Sequence, residues 1–314
     1  CCCCCCCCCY CFCFCGGVCT DLVVSSKMAS FVRGGLRSAA SAMPALAACA
    51  AGAAAAAATR PVPAPPTRCA SSEEDSRAPR LTCFGEAMLR YVPDPDESSA
   101  KTAGPFATRW LRNAGGAELN ISVALANLGW GARARWASVV PEGVLGDDFL
   151  QLLGQAFPDS QGKENLSLVR REAGDVGIYH VWPSKQQIWF QRHRSVFGLL
   201  DPTWFDQAFW LNALAPIPGS SAPQVLHLTG ITPLISVNTR AAWSSALETA
   251  RSLKEDQGTG SEGRLIVTLD LNHRPALGSW PDLWRMVEPH IGTLDLLVFS
   301  IGDVIQVAGQ FEAP

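Results

Sequence analysis

An α/β domain with a mostly parallel central sheet and a small β lid is predicted from Leu81 onward by three observations. Apolar runs of strand length recur at Val225–Thr229, Leu265–Asp270 and Leu294–Ser300, and each ends in polar residues. Helical stretches at Asn238–Leu253 and Trp280–Ile291 separate them, and that alternation calls for parallel strands covered on both faces. Two aromatic and polar strands, Gly177–Trp182 and Gln187–Arg192, flank a turn at Pro183, Ser184 and Lys185. They are too wet for the centre of a parallel sheet, which makes them the lid.

Leu81–Leu89 reads as one buried strand containing Gly85, and Ala107–Asn113 as a more polar extended piece. Gly115 and Gly116 lead into a helix over Ala117–Leu128, where Ile121, Ala124, Leu125 and Leu128 recur at helical spacing and Gly129 stands as the stop. Arg135–Val140 is a short strand, and Asp147–Phe157 a helix whose acidic start complements the macrodipole. In such a sheet, ligands bind beyond the carboxyl ends of the strands.

The chain before Leu81 has another character. Thirteen of the protein's 16 cysteines lie within Cys1–Cys19, nine of them consecutive, which denies the spacing that disulfides or zinc require. With Met28 the first methionine, residues 1–27 are read as low-complexity sequence that need not belong to the native product. Met28 to Ser72 has no acidic residue, carries Arg33, Arg37, Arg60 and Arg68, and includes the Ala-rich run Ala45–Ala58. Residues 28–80 are therefore expected to be a disordered organelle transit peptide and linker, directed to a plastid, with mitochondrion or cytosol as alternatives. A secretory signal core is a further reading of the Ala-rich run.

Residues 81–314 form the third region. Their single cysteine, Cys83, suits a reducing compartment. They hold 18 basic against 24 acidic residues, a formal charge of −6, which offers no electrostatic basis for nucleic acid or anionic lipid. No 18-residue apolar segment suggests a membrane span. His180, His193, His227, His273 and His290 show no metal-ligand spacing.

Three constellations could carry chemistry. At Gly115–Asn120, two residues without side chains open a helix N-terminus to a polyhydroxylated ligand, and Asn120 adds a donor and an acceptor about one turn in; a plain turn before a helix would look the same. Asp270–Arg274 follows the strongest strand pattern, where Arg274 could hold a carboxylate through paired hydrogen bonds or stand in a solvated loop. Tyr179, Trp189, Phe190 and Arg192 cluster on the lid, where rings could stack on a sugar or simply pack on the core.

Taken in order, GGAELN at Gly115–Asn120, the lid residues to Arg192, LHLTGITP at Leu226–Pro233 and LDLNHR at Leu269–Arg274 resemble the ribokinase, or PfkB-type, carbohydrate kinases. Within them they are most similar to the 2-keto-3-deoxygluconate kinases, because most relatives have Pro where Glu118 stands. The resemblance implies a ribokinase-like three-layer sandwich and ATP and Mg2+ as cofactors. It implies a small sugar-acid substrate held by Gly116, Asn120, Tyr179, Phe190, Arg192 and Arg274. Asn272, Arg274, Ser300 and Asp303 would face the nucleotide, with Asp303 acting indirectly on the magnesium. Phe190 replaces a common Tyr, and Asp303 is one methylene shorter than the usual Glu. The family's Gly-Ala-Gly-Asp element, whose Asp is the catalytic base, occurs nowhere in this sequence, so the domain is expected to be C-terminally truncated, the base to lie beyond Pro314, and the chain itself to be inactive. A homo-oligomer formed through the lid is also expected. Fructokinase or ribokinase activity, and a non-catalytic plastid scaffold, are the alternatives.

Overall fold

The structure, a computed structural model, describes residues 12–15, 79–94, 109–158, 162–216, 220–257, 264–301 and 303. The expected transit peptide thus lies outside the described residues apart from its last two positions, as does the Cys-rich segment except for a short strand at Phe12–Cys15. The chain divides into two units, one of Cys1–Asp75 with Phe299–Pro314 and one of Ser76–Val298, and the second carries the architecture below.

Its main sheet comprises β1 (Arg80–Phe84), β4 (Ala134–Pro141), β5 (Leu168–Glu172), β8 (Gln224–Thr229), β9 (Leu265–Asp270) and β10 (Leu296–Phe299). They run in the order β10-β9-β8-β1-β4-β5, and every neighbouring pair is parallel. A second sheet, in the order β3-β2-β6-β7, joins β2 (Met88–Pro93), β3 (Trp110–Gly115), β6 (Gly177–Trp182) and β7 (Gln187–Gln191). The helices are α1 (Ala117–Leu125), α2 (Gly143–Gly154), α3 (Gln207–Ala213), α4 (Thr232–Ile235), α5 (Val237–Gln257) and α6 (Trp280–Val287). The predicted parallel α/β sandwich with a β lid is what the chain adopts.

Alternation along β1 shows how both faces are covered. Leu81 and Cys83 point into a cluster with Leu119 of α1 and Phe149 and Leu153 of α2. Phe84 points the other way, into Phe197, Phe205 and Trp210 at ring distances of 5.5, 4.9 and 5.3 Å. Each such ring withdraws roughly 150–250 Å2 from water, about 4–6 kcal/mol before entropy is counted. Cys83 is wholly buried among apolar groups, and burial pushes its thiol up, so it acts as a small hydrophobe.

Several boundaries differ from the sequence expectation. Leu81–Leu89 is two strands in two sheets: it breaks at Gly85–Ala87, and Met88 starts the lid. A Cβ at Gly85 would overlap the Glu118 carboxylate, so the break is where α1 presses on the chain. The extended piece expected at Ala107–Asn113 is Trp110–Gly115. Helix α1 ends at Leu125 and passes into a wider turn over Ala126–Trp130, in which Gly129 has φ 106° and stops the helix as predicted. Ile121 and Leu128 are exposed, so neither belongs to the core face. Helix α2 begins at Gly143 rather than Asp147 and has no acidic residue in its first turn. Asp147 and Asp148 instead pair with Arg171 and Arg112. Strand β5, an edge with the sequence LVRRE, and helix α3 were not anticipated.

Candidate functional site

Strand β3 runs directly into α1, and Gly116 caps the helix with an extended backbone and no side-chain cap. No N-cap side chain therefore competes with a ligand oxygen at the start of α1. A Cβ on Gly116 would overlap the Glu86 carbonyl, and one on Gly115 the Tyr179 hydroxyl. Both glycines therefore let the β1–β2 turn and the lid close onto this helix start. Asn120 is exposed one turn in, and its side chain has no partner among the described residues.

The lid brings a charged pair to the same place. Arg192 and Glu86 approach to 3.4 Å, with their side chains 14% and 3% exposed. They attract as charges without aligning as a hydrogen bond, since both Glu86 oxygens and Nε and Nη1 of Arg192 lack hydrogen-bond partners. Burial pushes the Glu86 carboxyl up, and the Arg192 charge opposes that. Arg192 also donates toward Met88 Sδ at 3.4 Å and lies over the Phe190 ring at 5.1 Å, while Phe190 stacks on Tyr179 at 5.5 Å. Burial pushes the Tyr179 phenol up, against the pull of the Arg90 and Arg192 charges.

Beneath this cluster, Glu118 Oε1 accepts from the hydroxyls of Thr229 at 2.6 Å and Thr232 at 3.0 Å. These bonds tie α1 to the carboxyl end of β8 and the start of α4. Burial raises the Glu118 carboxyl to about 7, although both threonines favour its ionised form. The Gly230 amide donates to the Asp270 carbonyl at 2.8 Å, so the loops after β8 and β9 lie side by side.

The structure brings together Gly116, Tyr179, Phe190 and Arg192, with Asn120 on the same helix. Asn272 follows β9 with φ 40°, and its amide donates to Asp270 Oδ1 at 3.0 Å. Arg274 is exposed, its guanidinium has no partner among the described residues, and no contact links it to Arg192. In the other unit, Asp303 Oδ2 accepts from the Ser300 amide at 2.8 Å and Ser300 Oγ accepts from the Asp303 amide at 3.1 Å. That reciprocal pair occupies one carboxylate oxygen locally. Among the described residues no group of three or more His, Cys, Asp or Glu side chains is placed to hold a metal ion. Two of the histidines make structural contacts: His227 Nδ1 meets Thr268 Oγ1 and His273 Nε2 meets the Gly278 carbonyl, each at 2.9 Å. Glu86 and Arg90 were missed because the expected single strand hid the turn. A glycine followed by an acid at a strand's carboxyl end was the available signal.

Residues 78–156 match the pfkB family carbohydrate kinase. That segment runs from β1 through α2 and so contains Glu86, Arg90, Gly116, Glu118 and Asn120. The fold is similar to 2-dehydro-3-deoxygluconokinase from Thermotoga maritima, with a TM-score of 0.56 at 23% identity, over 74% of this chain and 63% of that one. It is also similar to a PfkB protein from Polaromonas sp. JS666, with a TM-score of 0.50 at 22% identity, over 74% of each. The described architecture is thus the ribokinase-like α/β fold of the pfkB proteins, and the chain spans 63% of the length of the Thermotoga enzyme. Among the described residues no helix is long and apolar enough to cross a membrane.

Proposed function

We propose that the complete gene product transfers the terminal phosphate of ATP to a hydroxyl of 2-keto-3-deoxygluconate. The observation that carries this is the junction of an uncapped helix N-terminus at Gly116 with a lid bearing Tyr179, Phe190 and Arg192. The amides after Gly116 and the Asn120 side chain would meet sugar hydroxyls, the lid rings would cover the sugar, and the lid cations would favour an acid. The 2-dehydro-3-deoxygluconokinase fold likeness supports the same reading. Mg2+ would arrive on the phosphates of ATP, as this ion commonly does.

One observation favours a neutral sugar instead: Glu86 already faces Arg192. Offering ketodeoxygluconate, fructose and ribose to the complete gene product in a phosphorylation assay separates the readings. The account expects the acid to give the highest kcat/KM, and preference for a neutral sugar would replace it with fructokinase or ribokinase activity. Failure of all three sugars, with binding also absent, would favour a scaffold. We also infer a plastid address from residues 28–80, on composition alone; a fluorescent fusion of that segment remaining in the cytosol would overturn it.

A further inference from the structure

The geometry points to Arg90 as the residue that holds the carboxylate of the acidic sugar, an inference that rests on the sugar-acid reading above. Arg90 lies on β2, in register with Tyr179 of β6 on one side and Asn113 of β3 on the other. Alternation puts Met88 and Arg90 on one lid face and Leu89 and Tyr91 on the other. The second face is occupied: Leu89, Tyr91, Ala114 and Ile178 pack into the core cluster with α1. The first face is the one on which Arg192 reaches Met88 and Phe190, and Phe190 stacks on Tyr179.

The two lid guanidiniums differ in what they already hold. Arg192 faces Glu86, so much of its charge is answered within the protein. Arg90 is half-buried and has no hydrogen bond, ion pair or ring contact among the described residues. A guanidinium carries five donors in a planar fork, and a carboxylate accepts two of them in parallel. Arg90 is therefore the lid guanidinium with no carboxylate of the protein facing it, whereas Arg192 already lies against Glu86. The register neighbour of Arg90, Tyr179, carries a hydroxyl that sits over Gly115. Arg90 thus selects the acid end of the sugar, while the hydroxyl end lies toward Gly116 and Asn120.

The test compares 2-keto-3-deoxygluconate with 3-deoxyfructose, in which CH2OH replaces the carboxylate, by calorimetric titration of the 314-residue chain. The chain should bind the acid at least about tenfold more tightly, and Arg90→Gln should lose that preference while binding 3-deoxyfructose unchanged. Arg90→Gln that melts like the parent yet keeps the acid preference would overturn this inference and leave the sugar-acid reading standing. A parent chain with no preference for the acid would remove both. Should the variant not fold, phenylglyoxal modification of the parent decides: the acid, and not 3-deoxyfructose, should protect Arg90 as read by mass spectrometry, and equal labelling would overturn the inference.

Discussion

Glu118 is fully buried and accepts from two threonine hydroxyls, yet its carboxyl is raised to about 7 because burial outweighs those bonds. The unfolded chain releases this proton near the ordinary value of 4.5, whereas the folded chain keeps it until about 7. Between those values the folded state binds more protons, so stability should fall as pH rises through the window, by about 3 kcal/mol in all. Glu86 is shifted in the same direction and adds to the decline. Denaturant unfolding at pH 5 and pH 8 should show a smaller loss for Glu118→Gln than for the parent; equal losses would contradict the assignment. Gly116→Ala acts on the backbone rather than on charge. Its Cβ would meet the Glu86 backbone, and a backbone cannot swing aside as a side chain can. The substitution should cost about 1–3 kcal/mol, seen as a lower melting temperature, and should weaken sugar binding with it.

At the scale of elements, the lid hairpin was legible because Gly177–Trp182 and Gln187–Gln191 alternate around a compact turn. The sheet it belongs to was not. Strand β2 was merged with β1, since Leu81, Cys83, Phe84, Ala87, Met88 and Leu89 form an apolar run whose bend is dictated by Glu118, distant in sequence. Edge strand β5 escaped because its Leu-Val-Arg-Arg-Glu sequence is half-buried and shows neither alternation nor a long apolar run. On its outer end the lid gathers Trp110, His180, Trp182 and Trp189, with Trp110 and Trp189 5.2 and 5.6 Å from His180. Trp189 is 52% exposed, and a surface of this kind is our reason for retaining a homo-oligomer formed through the lid. Sedimentation analysis should show an assembly that Trp189→Ser shifts toward monomer, and a monomeric parent chain would dismiss it.

For the whole molecule, the parallel sheet was legible because β8 and β9 combine an apolar run with polar residues at the carboxyl end, where the loops then gather. The candidate site was half legible. Gly116, Asn120, Tyr179, Phe190 and Arg192 stand out as candidates because glycines before a helix and aromatics on a wet hairpin have chemical reasons to be there. The charge balance was not, since Glu86 answers Arg192 only once the β1–β2 turn folds against the lid. What unites these scales is the proposal that a sugar acid lies between the start of α1 and the inner face of the lid. A crystal structure of the chain soaked with 2-keto-3-deoxygluconate tests that most directly. Sugar hydroxyls should lie at the Gly116 amides and Asn120 with the carboxylate on a lid guanidinium; sugar density elsewhere, or a carboxylate turned to solvent, would overturn the proposal.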